Sequence, residues 1–223
     1  LQQNIDALIN QVMLSFKVSK PYLTPRQIQL ESNYFKNIVY QWLLFEKKNR
    51  SIFKVIKSEE KYKINIDRIT FNVQIDRIDE YEDGSRLLID YKTGNEESVS
   101  KWTKPPITSL QMPIYITCTG INNISAAGIG YIHNKNIKLA GLSKYGQDPI
   151  DAELKDCSLS KKDEGQWQHL INSWHKDIYK FALGYLSGDA SVTFKKENDL
   201  KYCAVKALLR LAERRFQMEN PDE

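Results

Sequence analysis

The sequence predicts a mixed α/β fold in which helices flank a central sheet, and three observations support this. Apolar residues in 26–50 recur at spacings of three and four, as on one face of an amphipathic helix. Between 61 and 92 the period changes to two, as in half-buried strands. Helical spacing then returns at 107–120 and 164–186, with two strand-like segments between them. Such an order of elements is typical of a sheet covered by helices.

The composition indicates a globular domain with a sizeable core. Of the 223 residues, 41% are hydrophobic and 27% are charged. The three cysteines are far apart and odd in number, which favours a reducing cytoplasm over a disulfide framework. No stretch has the apolar length of a membrane span, and the first residues lack a signal-peptide layout. A net charge of +4 permits an anionic partner without indicating one.

Three consecutive parts are expected to form one compact domain. Residues 1–57 are predicted to be helical, and Pro21 and Pro25 separate a shorter first helix from a longer second one. Residues 58–145 are expected to form the core, and 146–223 the closing strands, a loop and the C-terminal helices.

The core begins with three predicted strands, "KYKINI" (61–66), "ITFNVQIDRID" (69–79) and "RLLIDYK" (86–92). Asp67 and Arg68 are expected to turn the chain between the first two strands. The Asp-Gly pair in "YEDGS" is a hairpin signal between the second and third strands. The pattern therefore predicts a three-stranded antiparallel meander.

The remaining elements complete the prediction. A helix is expected over 107–120, ending at Gly120, with Pro113 in its first turn or kinking it. It is followed by strands at "ISAAGIGYIHN" and "NIKLAGLS", a long helix over 164–186 and a basic helix over roughly 199–217.

A charged constellation is predicted in the sheet. Since side chains alternate along a strand, Asp90 and Lys92 share one face while Tyr91 points away. The hairpin can bring Asp76 beside Asp90, and two opposed carboxylates repel unless a cation lies between them. Oxygen ligands suit Mg²⁺, and the Tyr91 carbonyl is a candidate third ligand. Lys92 would then lie close to a metal-bound water and a phosphate.

Other interpretations stay open beside this one. Asp90 and Lys92 could be solvated strand-end residues or one simple ion pair. Trp102 could stack on a base, although a role in covering the core is favoured. The basic residues of the last helix could contact phosphates or be solvated; they are Lys201, Lys206, Arg210, Arg214 and Arg215.

These motifs resemble a known family. "QIDRIDEYEDGSRLLIDYKTG", followed by "LQMPIY", resembles the RecB-type nuclease domain of the PD-(D/E)xK superfamily. Domains of that type carry an I-D-R-I-D strand, a D-Y-K strand and a Q-x-x-x-Y helix. The matching residues here are Asp76, Asp90, Lys92, Gln111 and Tyr115. Further segments within 29–213 resemble nuclease domains at the C-terminus of bacterial proteins described as probable DNA-repair, inactivated superfamily I helicases.

The resemblance implies a restriction-endonuclease-like core and a Mg²⁺- or Mn²⁺-dependent deoxyribonuclease. It implies that Asp76 and Asp90 bind metal, that Lys92 is the catalytic lysine, and that Gln111 and Tyr115 support the site or touch DNA. Glu59, beside Glu60, stands where many relatives have an acid on the first strand. The implied setting is DNA repair or recombination in the bacterial cytoplasm, with DNA and a helicase subunit, or the rest of a larger chain, as partners.

Three departures qualify the resemblance. Gln74 replaces a common glycine, no histidine precedes His133, and only Cys203 remains in the tail, so no iron–sulfur cluster is expected. The missing upstream histidine keeps a catalytically weak or inactive DNA-binding module open as the main alternative, with a purely structural domain as a third. The sequence contains no P-loop, G-x-S-x-G or G-x-G-x-x-G motif to support other enzyme classes.

Overall fold

The computed structural model describes most of the chain. The described residues are 2–94, 99–103, 107–133, 136–144, 154–156, 165–189, 200, 203, 206–211 and 213. They belong to two compact units, 1–182 and 183–223. The first contains the sheet, and the described part of the second includes a short 3-10 helix over Lys206–Leu209. Among the described residues, no helix combines the length and apolar character needed to cross a bilayer.

Helices and strands follow in the predicted order. They are α1 (Gln2–Ser19), α2 (Pro25–Asn49), β1 (Phe53–Ile66), β2 (Ile69–Tyr81), β3 (Arg86–Lys92), α3 (Ser100–Thr103), α4 (Gln111–Cys118), β4 (Ile124–His133), β5 (Asn136–Ser143), β6 (Leu154–Asp156) and α5 (Gly165–Leu186).

One mixed sheet contains all six described strands in the order β1-β2-β3-β4-β5-β6. The β1–β2 and β2–β3 pairs are antiparallel, which confirms the predicted meander. The β3–β4 pair is parallel, and a parallel pair needs a crossover connection, which here includes α4. The β4–β5 pair is antiparallel and the β5–β6 pair parallel, so the sheet is mixed as predicted.

Helix α2 covers one face of this sheet. It begins with a capping box, since Gln27 N donates to Thr24 Oγ1 while Thr24 N donates to Gln27 Oε1, and Pro25 occupies its first turn. Its buried Trp42 belongs to a cluster that also contains Tyr81, Leu87, Ile89, Ala126 and Leu139. The odd-numbered apolar residues of β3 therefore face α2.

The opposite face is covered by α4 and α5. The larger core cluster joins Leu88 of β3 to both helices; its helical members include Met112, Tyr115, Trp167, Trp174 and Ile178. The indole of Trp174 donates from Nε1 to the Trp102 carbonyl at 2.6 Å, and Trp102 is only 1% exposed. Trp102 thus covers the core, as favoured from the sequence, and its ring is not available to stack on a base.

The first strand is longer than predicted. It begins at Phe53 rather than Lys61. The prediction that residues up to 57 are helical is therefore wrong for 53–57, which belong to the strand. A register shift between Val55 and Lys57 interrupts the alternation there. Such a bulge places two residues opposite one, which hides the two-residue period in the sequence.

Helix α4 is shorter than predicted, since it spans Gln111–Cys118 instead of 107–120. Pro113 lies in its first turn, which is one of the two positions predicted. Gly120 follows the helix with φ +72°, a conformation that glycine adopts without strain.

The predicted basic helix over 199–217 is not continuous. Its described residues form a 3-10 helix over Lys206–Leu209, followed by Arg210 at φ +50°, which interrupts helical geometry. Arg210 forms an ion pair with Glu213. Lys201, Arg214 and Arg215, for which phosphate contact or solvation was left open, lie outside the described residues.

Candidate active site

The site lies where β2 and β3 stop pairing. Their ladder runs from Glu80↔Arg86 to Arg77↔Ile89, and one further step of this register brings Asp76 level with Asp90. Beyond that point β2 continues along β1, while β3 continues along β4. The two predicted carboxylates therefore lie at the point where the sheet divides.

Asp76 joins the two strands across this division. Its Oδ2 accepts a hydrogen bond from Tyr91 N at 2.8 Å, so a side chain replaces a backbone ladder partner. Tyr91 is the residue between Asp90 and Lys92. The contact therefore fixes Asp76 against the peptide unit that separates the other two predicted site residues.

Lys92 and Asp90 form a direct ion pair, with Lys92 Nζ 2.8 Å from Asp90 Oδ2. The Asp90 side chain is 4% exposed, whereas the Lys92 side chain is 33% exposed. Lys92 Nζ also donates to Gln111 Oε1 at 3.1 Å. The ammonium group is thus held at a defined point while remaining accessible from solvent.

Gln111 connects this ion pair to α4. Its Nε2 donates to Asp90 Oδ1 at 2.5 Å and to Tyr115 Oη at 2.9 Å, while its Oε1 accepts from Lys92. Gln111 and Tyr115 are four residues apart, so they lie on one face of α4 as predicted. One amide group therefore orients both the carboxylate and the ammonium group.

Tyr115 completes a chain of hydrogen bonds from α4 back to β2. Its hydroxyl donates to the Gln74 carbonyl at 2.7 Å. Burial raises the pKa of the Tyr115 phenol, and the Asp90 and Asp76 carboxylates raise it further, while the Gln111 hydrogen bond acts in the opposite direction. The phenol therefore stays protonated at neutral pH and keeps donating to Gln74.

Tyr91 points to the other face of the sheet, as the alternation predicts. Its hydroxyl accepts from Arg77 Nη1 at 2.8 Å, and its ring meets Trp42 edge-on at 5.4 Å between centroids. Its cross-strand partner is Gly130, where an added Cβ would lie 2.7 Å from the Tyr91 ring. The missing side chain at Gly130 lets the ring lie flat against β4, which fixes the backbone between Asp90 and Lys92.

A buried charge network lies on the α2 side, and the sequence analysis missed it. Asp79 Oδ2 is 2.8 Å from Arg50 Nη1, and Asp79 Oδ1 is 2.7 Å from Arg77 Nε. Glu46 Oε1 lies 2.8 Å from Arg50 Nη1 and 2.9 Å from Arg77 Nη1. The Phe53 ring stacks against the Arg50 guanidinium at 3.8 Å. The available signal was the pair of charges Arg77 and Asp79 in "DRID", inside a strand rich in isoleucine.

Glu59 is level with Asp76 in the β1–β2 register, but its carboxylate contacts Gln74. It is exposed, has φ +53°, and its Oε2 accepts from Gln74 Nε2. Glu60, the other candidate acid, pairs with Lys57 at 2.9 Å. Among the described residues, no three His, Cys, Asp or Glu side chains form a metal-binding group. The predicted role of Glu59 as a ligand thus gains no support from this geometry.

The donor set at the sheet division nevertheless fits a hard divalent cation. Asp76 and Asp90 supply carboxylate oxygens, the donor type that Mg²⁺ and Mn²⁺ prefer. A carboxylate has about four lone-pair sites. The hydrogen bonds of Asp76 to Tyr91 and of Asp90 to Gln111 therefore leave acceptor capacity on both carboxylates. Two carboxylates, a backbone carbonyl and waters are sufficient for Mg²⁺, which usually keeps several waters.

The family model of the PD-(D/E)XK nuclease superfamily matches residues 2–208. A search among curated proteins finds no significant match. A solved structure described as "Crystal structure of SSO0001" matches at a TM-score of 0.33 and 14% identity, over 88% of this chain and 79% of that one.

The chain belongs to the PD-(D/E)XK nuclease superfamily. The mixed sheet flanked by helices is consistent with the restriction-endonuclease-like core predicted from the sequence. Membership implies nuclease activity, and nucleases of this superfamily typically use divalent metal ions.

Proposed function

We propose that the chain is a metal-dependent deoxyribonuclease domain of the RecB type, acting on DNA during repair or recombination. The observation that carries the proposal is the contact set at the sheet division. There Asp76 is bonded to the Tyr91 amide while Lys92 is paired with Asp90. The same proposal places the domain in the bacterial cytoplasm, with a helicase subunit or the helicase-like remainder of a larger chain as its partner. Both points rest on the sequence resemblance.

The contacts support the roles that the resemblance implies. Asp76, Asp90 and the Tyr91 carbonyl would hold Mg²⁺ or Mn²⁺. When bound, such an ion supplies Lewis acidity and lowers the pKa of a coordinated water. Lys92 orients the attacking water and donates from Nζ to a phosphate oxygen, which stabilises the charge that develops there. Gln111 holds the Lys92 ammonium and the Asp90 carboxylate in one orientation, and Tyr115 fixes Gln111 through the Gln74 carbonyl.

The first test is degradation of end-labelled single-stranded and duplex DNA with Mg²⁺, Mn²⁺ or EDTA. We expect cutting with either metal, none in EDTA, and recovery when metal is added back, because in this proposal the cation supplies the Lewis acidity that activates the water. Salt-sensitive binding without cutting would contradict the nuclease proposal and favour a DNA-binding module. Absence of both cutting and binding would indicate a nuclease fold in a structural role.

Gln111→Ala tests the positioning role of the amide. We expect kcat to fall roughly 10–100-fold, the usual cost of removing a group that orients a metal ligand. KM should change little because Gln111 is proposed to act through Asp90 and Lys92. The measurement is a comparison of kcat and KM by steady-state cleavage.

The matched control is Gln168→Ala on α5. Gln168 also donates from Nε2 to a side chain four residues away, Asn172, but the pair is exposed. The Gln168→Ala variant should leave kcat and KM at wild-type values. Equal losses in the two variants, or a rise in KM alone for Gln111→Ala, would contradict the positioning role.

A further inference from the structure

Two side chains of β2 contact Tyr91 of β3 at the division of the sheet. Asp76 Oδ2 accepts a hydrogen bond from the Tyr91 amide at 2.8 Å. Arg77 Nη1 donates to the Tyr91 hydroxyl at 2.8 Å, on the face that α2 covers. Asp76 and Arg77 are adjacent in the chain. Consecutive residues of one strand therefore hold the backbone and the side chain of the same residue on the other.

The Arg77 guanidinium that reaches Tyr91 is itself held in place. Its Nε lies 2.7 Å from Asp79 Oδ1, and its Nη1 lies 2.9 Å from Glu46 Oε1. Arg50 contacts the same two carboxylates, each at 2.8 Å. Arg77, Asp79 and Glu46 are buried, so solvent screens these contacts only weakly. The planar guanidinium therefore presents Nη1 to the Tyr91 hydroxyl at a fixed point.

The Tyr91 ring links this fixed point to the backbone of β3. Trp42 meets the ring edge-on at 5.4 Å between centroids. Gly130 pairs with Tyr91 on β4, and an added Cβ there would lie 2.7 Å from the ring. An aromatic side chain has only two rotatable torsions, so a ring packed on both sides couples its hydroxyl closely to its own peptide unit. That peptide unit lies between Asp90 and Lys92.

We propose that Tyr91 is a positioning residue for the metal site and that Arg77 is its anchor. The inference rests on the proposed function, in which Asp76, Asp90 and the Tyr91 carbonyl hold the cation. The Tyr91 hydroxyl touches neither metal nor DNA. Its bond to Arg77 keeps the Tyr91 peptide in the orientation in which the amide holds Asp76. Groups that orient metal ligands in this way raise the affinity for the metal.

The test is Tyr91→Phe, which removes the hydroxyl and keeps the packed ring. Binding of Mn²⁺ to the metal-free protein, without DNA, is measured by isothermal titration calorimetry. The dissociation constant for Mn²⁺ should rise about tenfold, the lower end of the usual cost of losing a group that orients a metal ligand. In cleavage, the Mg²⁺ concentration that gives half the maximal rate should rise by a similar factor. The rate at saturating Mg²⁺ should stay within about twofold of the wild type, because the hydroxyl contacts no reacting atom.

The matched control is Tyr81→Phe. The Tyr81 hydroxyl accepts from Arg50 Nη2 at 3.3 Å, in the same buried network, but Tyr81 lies at the end of β2, where it pairs with Phe53. Each variant loses a hydrogen bond to a buried arginine, so both should lower the melting temperature by a similar few degrees. Only Tyr91→Phe should weaken the binding of Mn²⁺.

The outcomes separate this inference from the proposed function. Wild-type affinity for Mn²⁺ in Tyr91→Phe would overturn the positioning role and leave the proposed function in place. Equal losses of affinity in the two variants would also overturn it, because lower stability would then explain both. A wild type that binds Mn²⁺ but does not cut DNA would contradict the nuclease proposal alone. A wild type that binds no Mn²⁺ would overturn the proposed metal site and this inference together.

Discussion

Replacing Lys92 with methionine is expected to reduce metal-dependent DNA cleavage by roughly 10²–10³-fold, the usual cost of removing one hydrogen-bond donor that stabilises charge in the transition state. Methionine keeps much of the apolar stem and removes the ammonium group that lies 2.8 Å from Asp90 and 3.1 Å from Gln111. The DNA would still bind, but no group would donate to the phosphate oxygen. The measurement is the single-turnover cleavage rate with saturating Mg²⁺.

Two controls separate chemistry from folding in this experiment. Lys92→Arg keeps the positive charge but presents a planar guanidinium, so it should recover only part of the rate. Lys47→Met removes an exposed lysine on α2 and should leave the rate unchanged. A Lys92→Met enzyme within about tenfold of the wild-type rate would contradict the role of Lys92.

Replacing Asp79 with alanine is expected to lower the free energy of unfolding by about 3–5 kcal/mol. Asp79 is fully buried and contacts Arg50 and Arg77 at 2.8 Å and 2.7 Å. Without it, the two guanidinium groups lose a carboxylate that both contact, and Glu46 is left beside two positive charges. The loss would lower the melting temperature by roughly 10 °C for a unit of this size. Thermal and denaturant unfolding measure it directly.

The control is Asp6→Ala. Asp6 forms an ion pair with Lys36 at 3.7 Å, with 41% of the Asp6 side chain exposed. Because solvent screens such a pair, its loss should cost no more than about 1 kcal/mol. Asp79→Asn keeps the volume and part of the hydrogen bonding, so its effect should fall between the two. A change below about 1 kcal/mol for Asp79→Ala would show that the charges find other partners.

The sequence predicts the contacts of the candidate site better than it predicts the buried charge network on the α2 side of the sheet. Strand β3 has the predicted bounds of 86–92, because its charges follow an uninterrupted apolar run and a hairpin signal. The shared face of Asp90 and Lys92 and that of Gln111 and Tyr115 follow from local alternation and a four-residue helical spacing. The meeting of α4 with β3 is a tertiary contact, and the sequence indicated it only through the family resemblance.

The missed features depend on tertiary contacts. Glu46 and Arg50 are four residues apart at the end of α2, where a sequence pattern indicates an ordinary solvated pair. They are buried only because Asp79 and Arg77 of β2 lie against them. The start of β1 was missed because a bulge breaks the alternation. Strand β6, at Leu154–Asp156, is too short to give a periodic signal.

The division of the sheet between β2 and β3 has a mechanical consequence. A continuous ladder would align the two strands by many backbone bonds, but here Asp76 meets the Tyr91 amide through its side chain. The position of Asp76 relative to Asp90 is therefore set by this side-chain bond and by the neighbouring Arg77↔Ile89 pair, while Asp90, Lys92 and Gln111 are bonded to one another. A substitution at Asp76 would remove a proposed metal ligand and a link between the two strands at the same time.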